Sequence, residues 1–238
     1  MILVTAPAHA DELGLAPGEV EAALSLEIDQ TVRLEWLRTS IAPDLFVGVT
    51  PKLTLGLVHS SRGVGRLDSG ASFCFGDAQR CDGIYDAVAL DARWRLRAGT
   101  LSIAAHPSFL LRDRSPVKPA LRLGLLVRAR RGRFSLLADP QLQLGLYNNL
   151  RGNRTTLHVP VWLRAEVGGG VTLALWTGLD GELATFGDAY VVPLGLEAGV
   201  TIRGRLDLLA GGGFSTLLGP QNDHKPRHLW LRLAVRWP

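Results

Sequence analysis

The chain has 238 residues, 47% of them hydrophobic and 20% charged, with a formal net charge of +4. That balance excludes an intrinsically disordered polymer. Uncharged stretches such as Gly168 to Leu179 are too short for a membrane-spanning helix; a β-barrel escapes that test, because its strands give only short alternating segments.

The first residues, MILVTAPAHADEL, place an apolar run before Ala8-His9-Ala10, the small-residue pattern of a signal-peptidase site. Residues 1–10 are therefore expected to be a residual signal-peptide tail and 11–18 a periplasmic N-terminal segment, with the folded domain over 19–238. From residue 19 the apolar residues recur at every second position, which in a strand puts them on one face. The first strand, 19–28, carries Val20, Ala22, Leu24, Leu26 and Ile28. Strands at 37–49 and 53–61 follow. Next comes FCFGDAQRCDG, where Cys74 and Cys81 are spaced too widely for a CxxC redox motif and have no zinc-ligand cluster nearby. In an exported protein they are expected to form a disulfide stapling a surface loop.

Strand 86–97 sets Val88, Leu90, Ala92, Trp94 and Leu96 against Asp91, Arg93 and Arg95. Strands at 101–112 and 120–130 come next, the latter alternating Leu121, Leu123, Leu125 and Val127 with Arg122 and Arg128. After 134–147, strand 156–167 opposes Leu157, Val159, Val161 and Leu163 to Arg164 and Glu166. Strands 171–184, with Glu182, 190–203, with Glu197, and 205–217 lead to the closing HLWLRLAVRWP. There Leu229, Leu231, Leu233, Val235 and Trp237 alternate with residues that include Arg232 and Arg236. Twelve strands result, and no stretch calls for a helix.

Their connections sort by length. Long ones lie near 29–36, 62–85, 113–119, 148–155, 185–189 and 218–227; short ones at 50–52, 98–100, 131–133, 168–170 and Gly204. Up-and-down strands with both termini on the short-turn side require this alternation, whereas a soluble sandwich has no reason for it. The apolar face carries no charge at strand centres, as lipid would select, because charge at mid-bilayer costs several kcal/mol. The opposite face would line a lumen with Asp91, Arg93, Arg95, Arg122, Arg128, Arg164, Glu166, Glu182, Glu197, Arg232 and Arg236. Trp94, Phe134 and Trp237 fall on the apolar face near the short turns, where a periplasmic aromatic girdle belongs. The basic residues do not gather on one surface interleaved with aromatics, so nucleic acid is not an expected partner.

These features resemble the outer-membrane β-barrel proteins of Gram-negative bacteria over residues 19–238. The resemblance implies an all-β, antiparallel up-and-down transmembrane barrel of about twelve strands with periplasmic termini. It also implies a place in the bacterial outer membrane, contact with membrane lipid and lipopolysaccharide, and delivery by the barrel-insertion machinery. The last strand is similar to their C-terminal assembly signal, except that Pro238 follows the aromatic Trp237. A monomer without cofactor or metal is expected.

Three functions fit this frame. The first is a channel or passive transporter for small polar solutes. The second is a lipid-active barrel. His59 and Ser61 share a lipid-facing side and are similar to the His-x-Ser of outer-membrane phospholipases and lipid A deacylases, although Arg62 stands where those carry Asn. Pro140 and Pro160, on neighbouring strands, each lack a ladder donor and resemble the lateral lipid gates of lipid-handling barrels. The third is a structural or adhesive barrel whose lumen is plugged by its own side chains, with Trp162, Trp176 and Trp230 filling space. His224 and His228 have no third ligand placed for a metal.

Overall fold

The computed structural model describes residues 13–29, 38–60, 73–75, 87–112, 116–220 and 227–238. Its strands are β1 (Val20–Asp29), β2 (Arg38–Gly48), β3 (Leu53–Val58), β4 (Phe73–Phe75) and β5 (Ala87–Arg97). These are followed by β6 (Leu101–Ala105), β7 (Ser108–Arg112), β8 (Lys118–Arg131), β9 (Phe134–Ala138) and β10 (Gln141–Gly145). The last five are β11 (Thr156–Gly168), β12 (Val171–Glu182), β13 (Val192–Ile202), β14 (Leu206–Leu218) and β15 (Arg227–Trp237). Antiparallel pairing runs from each stave to the next, and β1 pairs with both β2 and β15. The sheet therefore closes into a barrel of twelve staves, and closure of this kind removes the open edges that lipid could not satisfy.

Fifteen strands make twelve staves because three staves are broken. β6 and β7 both pair with β5 and β8, and β9 and β10 both pair with β8. The breaks fall at His106-Pro107 and Asp139-Pro140, where proline removes a ladder donor. The third break is in the stave of β3, where β4 takes over the pairing with β2. The wall stays bonded through the breaks on either side of β8. The His106 amide donates to the Gly124 carbonyl and the Leu125 amide to that of Pro140, at 2.9 and 3.1 Å. Gly124 is required there, since a Cβ would lie 2.9 Å from the Pro140 carbonyl oxygen.

The expected alternation of long and short connections is present, with tight turns at 98–100, 132–133, 169–170 and 203–205. One expectation fails: a short helix, α1 (Phe186–Ala189), follows a 3-10 turn at Leu183–Thr185. That stretch had been assigned to a strand end and a loop, because four residues are too few to show a helical period. A second 3-10 turn, Asn149–Arg151, lies in the 146–155 loop. That loop is pinned by Asn153, which is fully buried and donates to the carbonyls of Pro119 and Tyr147 while accepting from Arg112. Among the described residues no helix is long and apolar enough to cross a membrane, which leaves crossing by strands untouched.

Polarity is inverted relative to a water-soluble protein. Leu90, Leu163, Leu173, Leu196 and Leu231 point outward and are exposed, Leu196 to 66%. Ser25, Glu27, Asp44, Asp91, Arg122 and Gln143 are buried within. Such an arrangement is stable only when the surrounding solvent is apolar. Trp94, Phe134 and Trp237 lie on this outer face with 51%, 61% and 47% exposure, at the short-turn ends of their staves.

Candidate functional site: the lumen

The first described residues enter the barrel. From Val20 the chain turns back at Gly18 (φ +82°), and the Gly18 amide donates to the Gly48 carbonyl. The Leu15 amide then donates to Thr54 Oγ1 at 2.8 Å. Leu13 is wholly buried against Ala104, Leu126, Leu137 and Trp162, with Trp176 packed beside them. Residues 13–16, assigned from the sequence to a segment preceding the barrel, thus occupy part of its bore. Gly48 permits this entry, because any side chain there would strike the Ala16 carbonyl.

Leu13 and its neighbours form one arc of an apolar belt, and three tryptophans form the rest. Trp176 and Trp230 meet edge to face, 5.4 Å between ring centroids. Each lies on a glycine. A Cβ at Gly195 would come within 2.0 Å of Trp176 Nε1, and one at Gly211 within 2.4 Å of the Trp230 ring. Gly195 of β13 and Gly211 of β14 thereby make room for indoles from neighbouring staves. Trp162 donates its indole N–H to Glu197 at 3.0 Å.

On the opposite wall stands a charged network. His106 Nε2 lies 2.7 Å from Asp91 and its Nδ1 2.9 Å from Asp139. Gln141 donates to Asp139, Arg122 to Gln143, and Arg93 approaches Asp91 at 3.3 Å while stacking over Phe46. An imidazole facing carboxylate oxygens with both nitrogens donates to both only when it carries two protons. Toward the long loops His158 bonds Asp180 and Thr156. Toward the short turns Glu21 joins Arg232 and Arg236, and Arg236 also reaches Asp207.

Eleven residues are expected from the sequence to line the lumen. Six of them, Asp91, Arg93, Arg122, Arg164, Glu197 and Arg232, border one continuous cavity. Arg130 bridges to Glu166, and Arg154 to Glu182 near the long loops. Arg95 donates to the Pro51 carbonyl at the short-turn mouth. His106, Gln141 and Leu13 were missed from the sequence, and Asp139 was seen only as one charge among many. The repeated acceptor-proline pairs, His106-Pro107 and Asp139-Pro140, were the available signal.

His59 follows the end of β3; its amide donates to Asp44, and its Nδ1 donates to the Pro43 carbonyl at 2.6 Å. Ser60 gives its hydroxyl proton and its amide to the same Asp44. Asp44 so caps a strand end, and the Ser60 hydroxyl is engaged by a carboxylate rather than by an imidazole base. Ser61, Cys81 and His224 lie outside the described residues, as do residues 1–10. Cys74 is in β4. At Pro140 and Pro160 the seam is bonded, the Asp139 amide donating to the Pro160 carbonyl at 3.0 Å, with β9–β11 and β10–β11 pairing on either side. Among the described residues no group of three potential metal ligands occurs.

No family model matches the chain, and no curated protein matches it by sequence. Solved structures do. The NanC porin superimposes with a TM-score of 0.62 at 6% identity, covering 91% of this chain and 98% of its own. An outer membrane channel from Pseudomonas putida F1 gives 0.59 at 14% identity, covering 94% and 97%. The KdgM porin gives 0.57 at 9% identity, covering 92% and 99%. At such identities the likeness shows the fold, and that fold is the closed antiparallel barrel of the outer-membrane porins.

Proposed function

We propose that this protein is an outer-membrane channel through which small polar solutes pass by diffusion. One observation carries the reading: a single cavity runs past the apolar belt. Its lining includes Ser60, Ser108 and Leu110 on the long-loop side, Trp162, Trp176 and Trp230 at the belt, and Arg164 and Arg232 beyond it. The belt therefore narrows the lumen from its walls, and the cavity continues past it to Arg93, Arg164 and Arg232. The cavity volume of about 170 Å³ has room for on the order of ten waters, and its charged walls give those waters hydrogen-bond partners. A KdgM porin in complex with oligogalacturonate, which has a TM-score of 0.53 to this chain, is an example of a barrel of this fold that binds a polar solute.

The same reading places the protein in the outer membrane of a Gram-negative bacterium. Its outer face would contact lipid and lipopolysaccharide, and the insertion machinery would deliver it as a monomer. The test is reconstitution of the purified, detergent-extracted protein into a planar bilayer. Stepwise single-channel currents are expected. A folded protein that inserts and passes no current sinks the reading in favour of a plugged structural barrel.

A further inference from the structure

We infer that the lumen selects anions, so that its solutes are small carboxylates and phosphates; this rests on the channel reading. Charge is distributed unevenly along the bore. Around and above the belt, Asp91 and Asp139 are spanned by His106, and Asp180 is met by His158. Those three carboxylates are each held by a base, and Glu27 and Asp44 add two more carboxylates to the cavity wall on the same side, Asp44 accepting from Ser60. One inward step toward the short turns the sign changes. From Asp91, Trp162 and Trp230 that step reaches Arg93, Arg164 and Arg232, and all three line the cavity. The carboxylate at the corresponding step of β13 is Glu197, which is engaged by the Trp162 indole. The narrow part of the path is thus followed at once by a ring with more guanidinium than carboxylate.

Further out, the carboxylates of Glu21, Asp207 and Glu166 are paired with arginines. Glu21 lies between Arg232 and Arg236, Asp207 beside Arg236, and Glu166 beside Arg130. Arg128, inward-facing on β8, adds a further positive charge. The short turns beyond carry exposed Lys52, Arg97, Arg131, Arg133, Arg203 and Arg205. A mouth lined by one sign of charge between low-dielectric walls focuses its field and concentrates counter-ions at the entrance. Arginine is also the side chain whose planar fork fits carboxylate and phosphate. Basic turns alone would equally suit lipid phosphates. The arginines facing the cavity have no lipid to meet, and they carry the inference.

The test is the reversal potential of the full chain in a potassium chloride gradient, in bilayers of zwitterionic lipid, with acetate then replacing chloride. Wild type is expected to prefer chloride over potassium and to keep passing current with acetate. Arg128→Glu combined with Arg164→Glu should move the reversal potential toward that of potassium; the milder Arg164→Gln should move it part of the way. Heat-modifiable mobility on gels confirms that each variant is a folded barrel. A conducting wild type that prefers potassium overturns the inference and leaves the channel reading standing. So does an unchanged reversal potential in a folded, conducting double variant. Absence of any wild-type current removes both. If charge reversal at Arg131 and Arg133 abolishes the preference while the lumen variants do not, selectivity belongs to the rim and the inference fails.

Discussion

His106 and Asp139 are 33 residues apart in the chain and 2.9 Å apart in the wall of the lumen. They belong to staves separated by β8, and each immediately precedes the proline that breaks its own stave. Asp91, from the stave on the other side of His106, completes the bridge at 2.7 Å. Three of four successive staves, those of β5, β6–β7 and β9–β10, are thereby tied through one imidazole that reaches across β8, where prolines interrupt the strands.

Replacing His106 by alanine removes the imidazole between Asp91 and Asp139 and leaves only Arg93, 3.3 Å from Asp91, to balance the two carboxylates. Removal of one partner from a buried ionic pair costs about 3–5 kcal/mol. His106→Ala is expected to lower unfolding stability by that order in a urea titration of the micelle-bound protein. Asp139→Asn should cost less in the His106→Ala background than in wild type, because the interaction it breaks is already gone. Equal costs in both backgrounds would show that the two residues are not coupled.

Leu13 anchors the entering segment by filling a wholly buried site against Leu126, Leu137 and Trp162. Truncating a buried leucine costs about 2–5 kcal/mol, and a carboxylate there adds a desolvation penalty. Leu13→Asp is therefore expected to release residues 13–16 from the bore while the staves remain paired. Single-channel conductance should rise, and the 13–19 stretch should become accessible to protease. Unchanged conductance with a released segment would mean that Leu13 does not restrict the path.

The lipid-facing assignment has its own test at Leu196, which is 66% exposed. On a protein in water an arginine there would be nearly neutral. At the middle of a bilayer-facing strand it costs about 2–4 kcal/mol. Folding of Leu196→Arg into lipid vesicles, measured against Glu197→Gln on the next, inward residue, should show the larger loss for the outward change.

Glycine at 211 is required by the Trp230 ring, which a Cβ would approach to 2.4 Å. Gly211→Ala should cost about 1–3 kcal/mol through overpacking. The double change Gly211→Ala with Trp230→Ala should recover much of that loss in the same urea titration. Failure to recover would place the strain elsewhere.

The twelve staves and the face of each side chain were legible because a strand's period is two and the two solvents differ sharply, lipid outside and water within. Val192 to Ile202 and Leu229 to Trp237 state that alternation almost without exception. The breaks at Pro107 and Pro140 were visible as prolines. The meeting of His106 with Asp139 was not, because it depends on pairing register across β8, and no local pattern encodes the register of a distant pair. Leu13 was hidden for a different reason. A single leucine near a chain end has no periodic context, and its burial is decided by a cavity that exists only once the barrel has closed. The short helix Phe186–Ala189 left no periodic trace. At the lumen, parity supplied the arginines and carboxylates but could not tell which of them border the open path.

The two indoles resting on backbone glycine have a consequence for how such a lumen changes over time. Strand pairing, which sets the circumference, is made by main chain, while the diameter left free is set by Trp176 and Trp230 lying on Gly195 and Gly211. Aperture and scaffold are thus written in different residues. A lineage, or an engineer, is able to widen the lumen by trimming one ring without disturbing a single ladder bond, so its width can drift while the architecture stays fixed.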